Sequence, residues 1–447
     1  MDVAKTGKSL NNVMGKFQGD RVVLVIVLLL MGISILAIFG STSQLAATNS
    51  TSRVQIISAH LKTVGFGILA MVICYNIRSV TIYRVVSQIG FLLSAAMLVV
   101  MYATVDKAGF IHGDYMNESA IRYLVIGGTN LQVFEFVKVF MIFYLSWATS
   151  AYLNDKFSLT RRLAAMDARM AWIGTKFAQR VIYFYIPMAV VTLLVLKGGT
   201  SSAVIIAGIM YLTLLLGGMP LRNTLLFGAA ALVGVVLVVG ISLGTGGKFF
   251  PRLQTAVARI ERSSLDEEDL LKLPKNSVAY EELKDNMLQP VGAKIAIRDA
   301  RVMGKGFGKS TQKYKVPVMF EDYMFSYIVE ETGIWGAMLL IVLYCTLLAR
   351  GSIIVRGLKN TFARSAVIGT VLLITCQAFL HMLVNVDIGP LTGQTLPMIS
   401  HGRTSFLLFS MTFGIILSFS REAKENSDRE DAGNRMDSSS EYTVTIS

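Results

Sequence analysis

The sequence has little charge for its length. Only 16% of its 447 residues are Asp, Glu, Lys or Arg, whereas 53% are hydrophobic, and the mean hydropathy is +0.57. A soluble protein of this size needs more charged side chains to cover its surface. The composition therefore excludes an ordinary soluble globular protein and indicates a chain that folds in a bilayer.

Cysteine is also scarce. The three cysteines, Cys74, Cys345 and Cys376, all lie in or beside apolar segments. In such surroundings a cysteine behaves as a small hydrophobic residue. The sequence therefore indicates neither a disulfide framework nor a zinc or redox centre.

Long apolar runs, by contrast, are abundant. A helix needs about 17 to 25 apolar residues to cross a bilayer, because its backbone hydrogen bonds must all be made internally. We predict an all-α polytopic membrane protein with about ten transmembrane helices, at 22–40, 64–77, 85–102, 133–152, 181–196, 203–216, 225–243, 324–348, 366–384 and 406–419. A cleavable signal peptide is the alternative for the first run. Its length, its polar leader and the lack of a clean small-residue cleavage site favour a retained helix.

The Lys- and Arg-rich connections alternate along the chain. They precede the first span and join the second to the third, the fourth to the fifth, and the eighth to the ninth. Their basic residues are Lys5, Lys8, Lys16, Arg21, Arg78, Arg84, Lys156, Arg161, Arg162, Arg169, Lys176, Arg180, Arg350, Arg356, Lys359 and Arg364. Because such clusters stay in the cytoplasm, both termini are predicted to be cytoplasmic. The net charge of +13 then reflects topology and contact with anionic lipids, and no nucleic-acid partner is expected.

These spans divide the chain into five parts. They are an N-terminal tail (1–21), seven spans (22–243), a large extracytoplasmic loop (244–322), three spans (323–420) and a polar cytoplasmic tail (421–447). Loops as long as the third part, 244–322, are uncommon without a function. Its glycine-punctuated basic run lacks the spacing of a P-loop, and fits either a flexible loop near an anionic substrate or a solvated loop. The tail fits partner recruitment or disorder.

Polar side chains occur where they are costly. Gln132, Glu135 and Lys138 recur every third residue in the fourth predicted span, within an arc of about 120° on one helix face. Each ionisable group costs about 2.5 to 3.5 kcal/mol on insertion scales, and it therefore normally faces a cavity or pairs. The residues predict either a polar stripe that faces a substrate or a structural Glu135–Lys138 pair.

The connection between the ninth and tenth spans has an irregular composition. From Asn385 to Ser405 it contains two prolines and three glycines among hydroxyl residues. Irregular backbone at membrane depth is tolerated only where it is buried in protein or lines a cavity. The segment therefore indicates a cavity wall, with a structural re-entrant turn as the alternative.

Several motifs occur in a fixed order along the chain. They are Ala120-Ile-Arg122-Tyr123, Gln132-Val-Phe-Glu135-Phe-Val-Lys138, Phe320-Glu321-Asp322-Tyr323, Glu330-Glu331-Thr332-Gly333 and Thr395-Leu396-Pro397-Met-Ile-Ser400-His401-Gly402-Arg403-Thr404-Ser405. Together they resemble the SEDS family, the FtsW, RodA and SpoVE group of bacterial cell-wall glycosyltransferases. The order, the helix count and the loop placement agree over nearly the whole chain. The Thr-Leu-Pro form resembles FtsW more than RodA, and so favours a role in division over elongation.

The chain departs from the family pattern at four places. Tyr123 replaces a tryptophan, and Val133-Phe134 replaces Pro-Ser. Lys197-Gly198-Gly199 stands where Gln-Pro-Asp is expected, and Arg403 stands where a second glycine is usual. The last change adds a cation beside the expected site.

The resemblance implies a peptidoglycan glycosyltransferase that polymerises lipid II at the outer face of the bacterial cytoplasmic (inner) membrane. The donor is the glycan on one undecaprenyl pyrophosphate, and the acceptor is the 4-hydroxyl of another lipid II. The reaction needs a base for the hydroxyl and cations for the departing pyrophosphate. By resemblance, Asp322 is the base, the phosphate-side cations are Arg122, Lys138 and Arg403, and the cavity-lining residues are Gln132, Glu135 and Ser400. Asp322 also precedes an apolar run, where a helix N-cap is its ordinary explanation.

The resemblance also implies partners. They are lipid II, a class B penicillin-binding transpeptidase, other divisome proteins and membrane lipids. Pyrophosphate chemistry favours a divalent cation such as Mg²⁺, although the sequence shows no dedicated ligand cluster for it, and no organic cofactor is expected. The rival hypotheses are a transporter of lipid II or another solute, in which the buried charges line a path, and a scaffold that recruits a transpeptidase.

Overall fold

The structure is a computed structural model that describes residues 17–42, 52–105, 109–115, 121–245, 278–316, 319–389 and 392–444. In these ranges nine helices are long and apolar enough to cross a membrane, and the predicted span at 203–216 is a shorter apolar helix. The all-α polytopic fold is thus confirmed. The helices are α1 (Arg21–Ser41), α2 (Arg53–Asn76), α3 (Val80–Ala103), α4 (Val133–Leu153), α5 (Ser158–Met166), α6 (Lys176–Gly198), α7 (Thr200–Leu216), α8 (Leu221–Gly244), α9 (Val278–Ala300), α10 (Met324–Thr332), α11 (Ile334–Gly357), α12 (Thr361–Asn385) and α13 (Arg403–Val444).

Helices α4 and α12 form the centre of the bundle. Both are buried over most of their length, and they pack against each other. The apolar core continues from α12 to α1, α2, α11 and α13, and from α4 to α3, α6 and α7. By contrast, α8 is apolar on all sides and is exposed along nearly its whole length, as expected of a helix that contacts lipid.

Successive membrane helices run in alternating directions, so the polar connections gather at two ends. One end carries residues 109–115, 121–132, 278–316, 319–323, 386–389 and 392–402, and we call it the site end. The opposite end carries the basic connections 77–79, 154–175 and 358–360. The two groups of connections that the sequence analysis assigned to different sides therefore lie at different ends.

The segment before α4 forms a small sheet that the sequence analysis did not predict. Three antiparallel strands pair in the order β1-β2-β3, and they are β1 (Ile111–Tyr115), β2 (Ile121–Ile126) and β3 (Thr129–Gln132). Gly127 and Gly128, both with positive φ, make the two-residue turn between β2 and β3, a backbone that glycine adopts without strain. Gln132 therefore ends β3, directly before α4, and does not lie inside the helix as predicted.

The predicted span at 324–348 is two helices. It breaks at Gly333, whose φ of +70° favours glycine. A side chain at Gly333 would also meet the backbone of Val302 and Gly304. As a result α10 is a separate short helix at the site end, and α11 is the helix that spans.

The glycine-punctuated run before α10 is tied to two buried carboxylates. Glu330, which has no exposed surface, accepts hydrogen bonds from Lys305 Nζ at 2.7 Å and from the N–H of Thr311 at 2.9 Å. Glu331 accepts one from the N–H of Gly308 at 2.9 Å. Burial opposes ionisation of Glu330, but the hydrogen bonds, first that of Lys305, outweigh it and lower the pKa. These hydrogen bonds tie the run to α10, while Phe307, Gly308 and Lys309 stay exposed to solvent.

The last helix extends far past the last predicted span. Because α13 ends at Val444, residues 421–444 are helical, in contrast to the disordered tail considered above. The lysines at 5, 8 and 16 and residues 246–277 of the predicted large loop lie outside the described residues.

Candidate active site

A cavity at the site end brings together the sheet, α4, α7, the segment before α10 and the α12–α13 connection. It encloses about 440 Å³, including its open mouth. Four of the predicted site residues line it, namely Arg122, Gln132, Glu135 and Asp322. The other lining residues are Tyr123, Phe134, Ser202, Glu321, Gly393, Gln394 and Thr395.

Glu135 and Lys138 form a buried ion pair near the start of α4. Lys138 Nζ lies 2.5 Å from Glu135 Oε1, and it donates to the side-chain oxygens of Gln377 at 2.6 Å and Gln394 at 3.1 Å. Three acceptors match the three N–H donors of a lysine. Glu135 lines the cavity, but Lys138, only 3% exposed, lies beneath it. The structural Glu135–Lys138 pair considered from the sequence is therefore the better description of Lys138. Its ammonium group does not face the cavity, as a cation that binds the pyrophosphate would.

Arg122 on β2 reaches the cavity between two glycines. An added Cβ would lie 3.4 Å from its Nη2 at Gly199 and 3.0 Å from its Nη1 at Gly393. Larger side chains at these positions would crowd the guanidinium. Gly199 precedes α7, and Ser202 in the first turn of α7 lines the cavity. The partially positive N-terminal end of α7 and the guanidinium therefore lie near each other, an arrangement that favours an anion.

Asp322 lines the cavity and does not cap the next helix. The N-cap position of α10 falls on the following residue, which makes no capping side-chain bond. The N–H groups of Phe325 and Ser326 instead bind His381 Nε2 at 3.4 Å and Asn385 Oδ1 at 2.9 Å, both from α12. The N-cap explanation considered for Asp322 is therefore wrong.

Tyr123 stands between the sheet and the acidic residues of the cavity. Gln132 Nε2 donates to its hydroxyl at 3.4 Å. Burial raises the pKa of Tyr123, the hydrogen bond from Gln132 opposes the rise, and the Glu321 carboxylate adds to it. The Tyr123 hydroxyl therefore stays protonated and can donate a hydrogen bond to a substrate oxygen.

Ser400 and Arg403 lie outside the cavity wall. Ser400 Oγ donates to the carbonyl oxygen of Glu321 at 2.8 Å and accepts from the N–H of Leu396 at 2.9 Å. It thus fixes the backbone immediately before Asp322. Arg403 is exposed at the start of α13. Neither position matches the predicted contact with the substrate inside the cavity.

Two carboxylates of the cavity, those of Glu135 and Glu321, each have a basic neighbour. Lys138 engages Glu135, and His401 Nδ1 lies 3.6 Å from Glu321 Oε1. Among the residues that the structure describes, no three His, Cys, Asp or Glu side chains form a group that could hold a metal ion. The divalent cation stays a prediction.

The sequence analysis did not single out Ser202, Gln377 or Gln394. Gln394 Nε2 donates to Ser202 Oγ at 3.2 Å, and Gln377 Nε2 donates to the carbonyl oxygen of Thr395 at 3.0 Å. Gln377 carries a signal that could have identified it, because a polar side chain in the middle of an apolar span needs a buried partner. Serine in a membrane helix carries no comparable signal, since its hydroxyl can bond to its own backbone.

The chain resembles known proteins over most of its length. The sequence model of a family described as "Cell cycle protein", which groups FtsW, RodA and SpoVE, matches residues 20–425. The chain is 28% identical over 315 residues to a protein of Hahella chejuensis named "Probable peptidoglycan glycosyltransferase FtsW", covering 69% of each. It is 23% identical over 411 residues to stage V sporulation protein E of Bacillus subtilis, covering 92% of this chain and 99% of the relative.

Two solved structures share the fold. One, described as a peptidoglycan synthase complex that coordinates polymerization and crosslinking, has a TM-score of 0.60 at 17% identity, covering 91% of this chain and 98% of the other. The rod shape determining protein RodA of Thermus thermophilus has a TM-score of 0.53 at 17% identity, covering 90% and 97%. At these identities the likeness shows the arrangement of helices and no more.

Proposed function

Because this chain belongs to the FtsW, RodA and SpoVE family of cell cycle proteins, we propose that it is a peptidoglycan glycosyltransferase. Its substrate is lipid II, which it polymerises at the outer face of the cytoplasmic membrane during cell division. One observation carries the proposal. A carboxylate residue that is not needed for helix capping, Asp322, lines the same cavity as the cationic Arg122.

The proposed reaction needs a base and a cation on either side of one glycosidic bond. Asp322 takes the proton from the 4-hydroxyl of the acceptor, whose oxygen bonds to C1 of the donor sugar. The bond between C1 and the pyrophosphate oxygen then breaks, and the leaving group gains negative charge. Arg122 and the N-terminal end of α7 stabilise this charge, because cations and helix N-termini favour developing anions.

The remaining predicted residues support this arrangement indirectly. Lys138 holds Glu135 and Gln394 in the cavity wall through its three hydrogen bonds. Ser400 fixes the backbone that carries Asp322. These are positioning roles, in which a polar residue acts on the cavity without lining it.

The first test is whether the purified protein makes glycan polymer from lipid II in detergent, alone and with a class B penicillin-binding transpeptidase. We propose this class of partner because a structural neighbour is a peptidoglycan synthase complex. Movement of lipid II across vesicles without polymer would favour the transporter. Crosslinking activity of the transpeptidase in the mixture, without polymer made by this chain, would favour the scaffold hypothesis.

We expect Arg122→Ala to slow polymerisation by about 10- to 100-fold, because hydrogen bonds to charged groups contribute about 1.5 to 3 kcal/mol. Arg122→Lys should recover only part of the rate, since lysine cannot make two parallel hydrogen bonds to a phosphate. Lys309→Ala is the matched control, because Lys309 is exposed at the same end but does not line the cavity. Equal rates for Arg122→Ala and wild type would remove Arg122 from the site.

The proposed orientation places the site end outside the cytoplasm and both termini inside. We expect a cysteine introduced at Lys309 to react with a membrane-impermeant maleimide on intact spheroplasts, and one at Arg162 to react only after permeabilisation. Both residues are exposed, at opposite ends of the bundle. Each cysteine should be introduced into a variant of the protein in which Cys74, Cys345 and Cys376 have been replaced. Labelling of intact cells at Arg162 alone would invert the orientation and place the cavity in the cytoplasm.

A further inference from the structure

His401 lies at the edge of the cavity, beside one of its acidic residues. Its Nδ1 is 3.6 Å from Glu321 Oε1, and the two side chains are 19% and 21% exposed. The N–H of His401 also binds the carbonyl oxygen of Phe320 at 3.0 Å, which anchors the imidazole next to the carboxylate. At 3.6 Å the two groups are too far apart for a hydrogen bond, but close enough for a positive charge on the imidazole to offset the charge of the carboxylate.

A second histidine lies behind the first. His60 on α2 is 5% exposed, and its ring centroid is 6.4 Å from that of His401. His60 Nε2 lies 3.0 Å from Ser34 Oγ, which donates its own proton to the carbonyl oxygen of Ile399 at 3.0 Å. A hydroxyl has one proton, so His60 Nε2 must carry the proton of the bond to Ser34. His60 is thus satisfied as a neutral ring, and a positive charge is placed at less cost on the more exposed His401.

Without that charge, the cavity has an excess of negative charge. Lys138 neutralises Glu135, so the charged residues lining the described part of the cavity leave Arg122 opposed by the carboxylates of Glu321 and Asp322. An additional negative charge repels an anionic substrate. A protonated His401 would neutralise Glu321 and balance the cavity.

We propose that His401 is a positioning residue whose protonation neutralises Glu321 and so permits tight binding of a pyrophosphate-linked lipid. This inference rests on the proposed function, because it takes the pyrophosphate of lipid II as the ligand of the cavity. It adds that substrate affinity depends on pH through His401. Asp322, the proposed base, keeps its role.

Among the residues that the structure describes, few other groups near His401 could produce this dependence. Glu321 faces it from the segment before α10, and His60 faces it from α2. On α13 the charged neighbour is the exposed Arg403, and arginine keeps its charge in proteins. The packed rings of Phe320 and Phe406 around the two histidines carry no charge.

The sign of the effect follows from the charges. Histidine side chains change charge between about pH 5 and 8. Loss of the imidazole proton removes the positive charge of His401, so Glu321 is no longer neutralised and affinity for the anionic lipid falls at higher pH. Ion pairs at partly exposed positions are weak, so we expect a change of about two- to fivefold in Kd.

The experiment measures binding of undecaprenyl pyrophosphate to the full-length protein in detergent across this pH range, at constant ionic strength. Two variants should change affinity in opposite directions. We expect weak, nearly pH-independent binding for His401→Gln, because the positive charge is absent. We expect tight binding at every pH for Glu321→Gln, because the repelling carboxylate is absent. The ratio of wild-type to Glu321→Gln affinity at each pH cancels ionisation of the pyrophosphate itself.

His112→Gln is the matched control, since His112 lies on β1 outside the cavity wall, and it should keep the wild-type pH dependence. A wild-type protein that binds the lipid with no such dependence, or a Glu321→Gln variant that binds it less tightly, would overturn the role of His401 and leave the proposed function standing. A wild-type protein that neither binds undecaprenyl pyrophosphate nor polymerises lipid II would overturn both. If His401→Gln fails to fold, the direction of the Glu321→Gln effect still decides.

Discussion

Replacing Asp322 by asparagine is expected to reduce glycan polymerisation by about 10²- to 10⁴-fold, the contribution of a general base. An amide has nearly the size of a carboxylate but cannot accept the proton of the acceptor hydroxyl. Lipid II should therefore still bind. The measurement is the rate of polymer formation beside the affinity for lipid II and the melting temperature of the purified variant.

The structure makes this result easier to interpret than the sequence did. Because His381 and Asn385 bind the first N–H groups of α10, loss of the Asp322 carboxylate does not remove a helix cap. Asn385→Ala is the matched control for damage to the helix start, and should lower stability by about 0.5 to 2 kcal/mol. Glu321→Gln should keep appreciable turnover. Near-normal polymerisation by Asp322→Asn would move the search for the base to Glu321.

Replacing Lys138 by methionine is expected to have the largest effect on stability. Removing one partner of a buried ion pair typically costs about 3 to 5 kcal/mol, because the other charge is left uncompensated. Here Glu135 would lose its counter-charge, and the side-chain oxygens of Gln377 and Gln394 would each lose a hydrogen-bond donor. Thermal unfolding in detergent measures the loss. Polymerisation should fall as well, since the cavity wall is no longer held in place.

A double variant separates the charge from the geometry. With Glu135→Gln added to Lys138→Met, no buried charge remains, and we expect stability to recover in part while polymerisation does not. Lys176→Met is a matched control because it breaks an exposed pair with Asp155 at the opposite end, where the cost is about 0 to 1 kcal/mol. Equal destabilisation by Lys138→Met and Lys176→Met would contradict the central place given to the buried pair.

The sequence alone was sufficient to predict the membrane helices, except for the break at Gly333 within the predicted span 324–348. Whether a segment can cross a bilayer depends on its own length and composition, because a helix satisfies its backbone within itself. Some candidate site residues could also be identified from the sequence, because an ionisable side chain such as Glu135 is rare within an apolar run. Recognition of the family motifs added Asp322 and Arg122, which local composition would not have separated from other loop residues.

The tertiary structure decided which of those residues share a cavity and what each one contacts. Lys138 faces α12 and the α12–α13 connection, and its acceptors are Gln377 and Gln394, more than two hundred positions away along the chain. The side chain that binds the N–H of Ser326 at the start of α10 belongs to Asn385, and the basic neighbour of Glu321 is His401. Such contacts depend on how helices pack across the bundle, and helical periodicity indicates only which face of a helix is buried. In a membrane protein this periodicity is weaker still, because the lipid-facing sides of the helices are as apolar as the core. The sequence therefore determined the number of spans, and the packing of the helices determined the site.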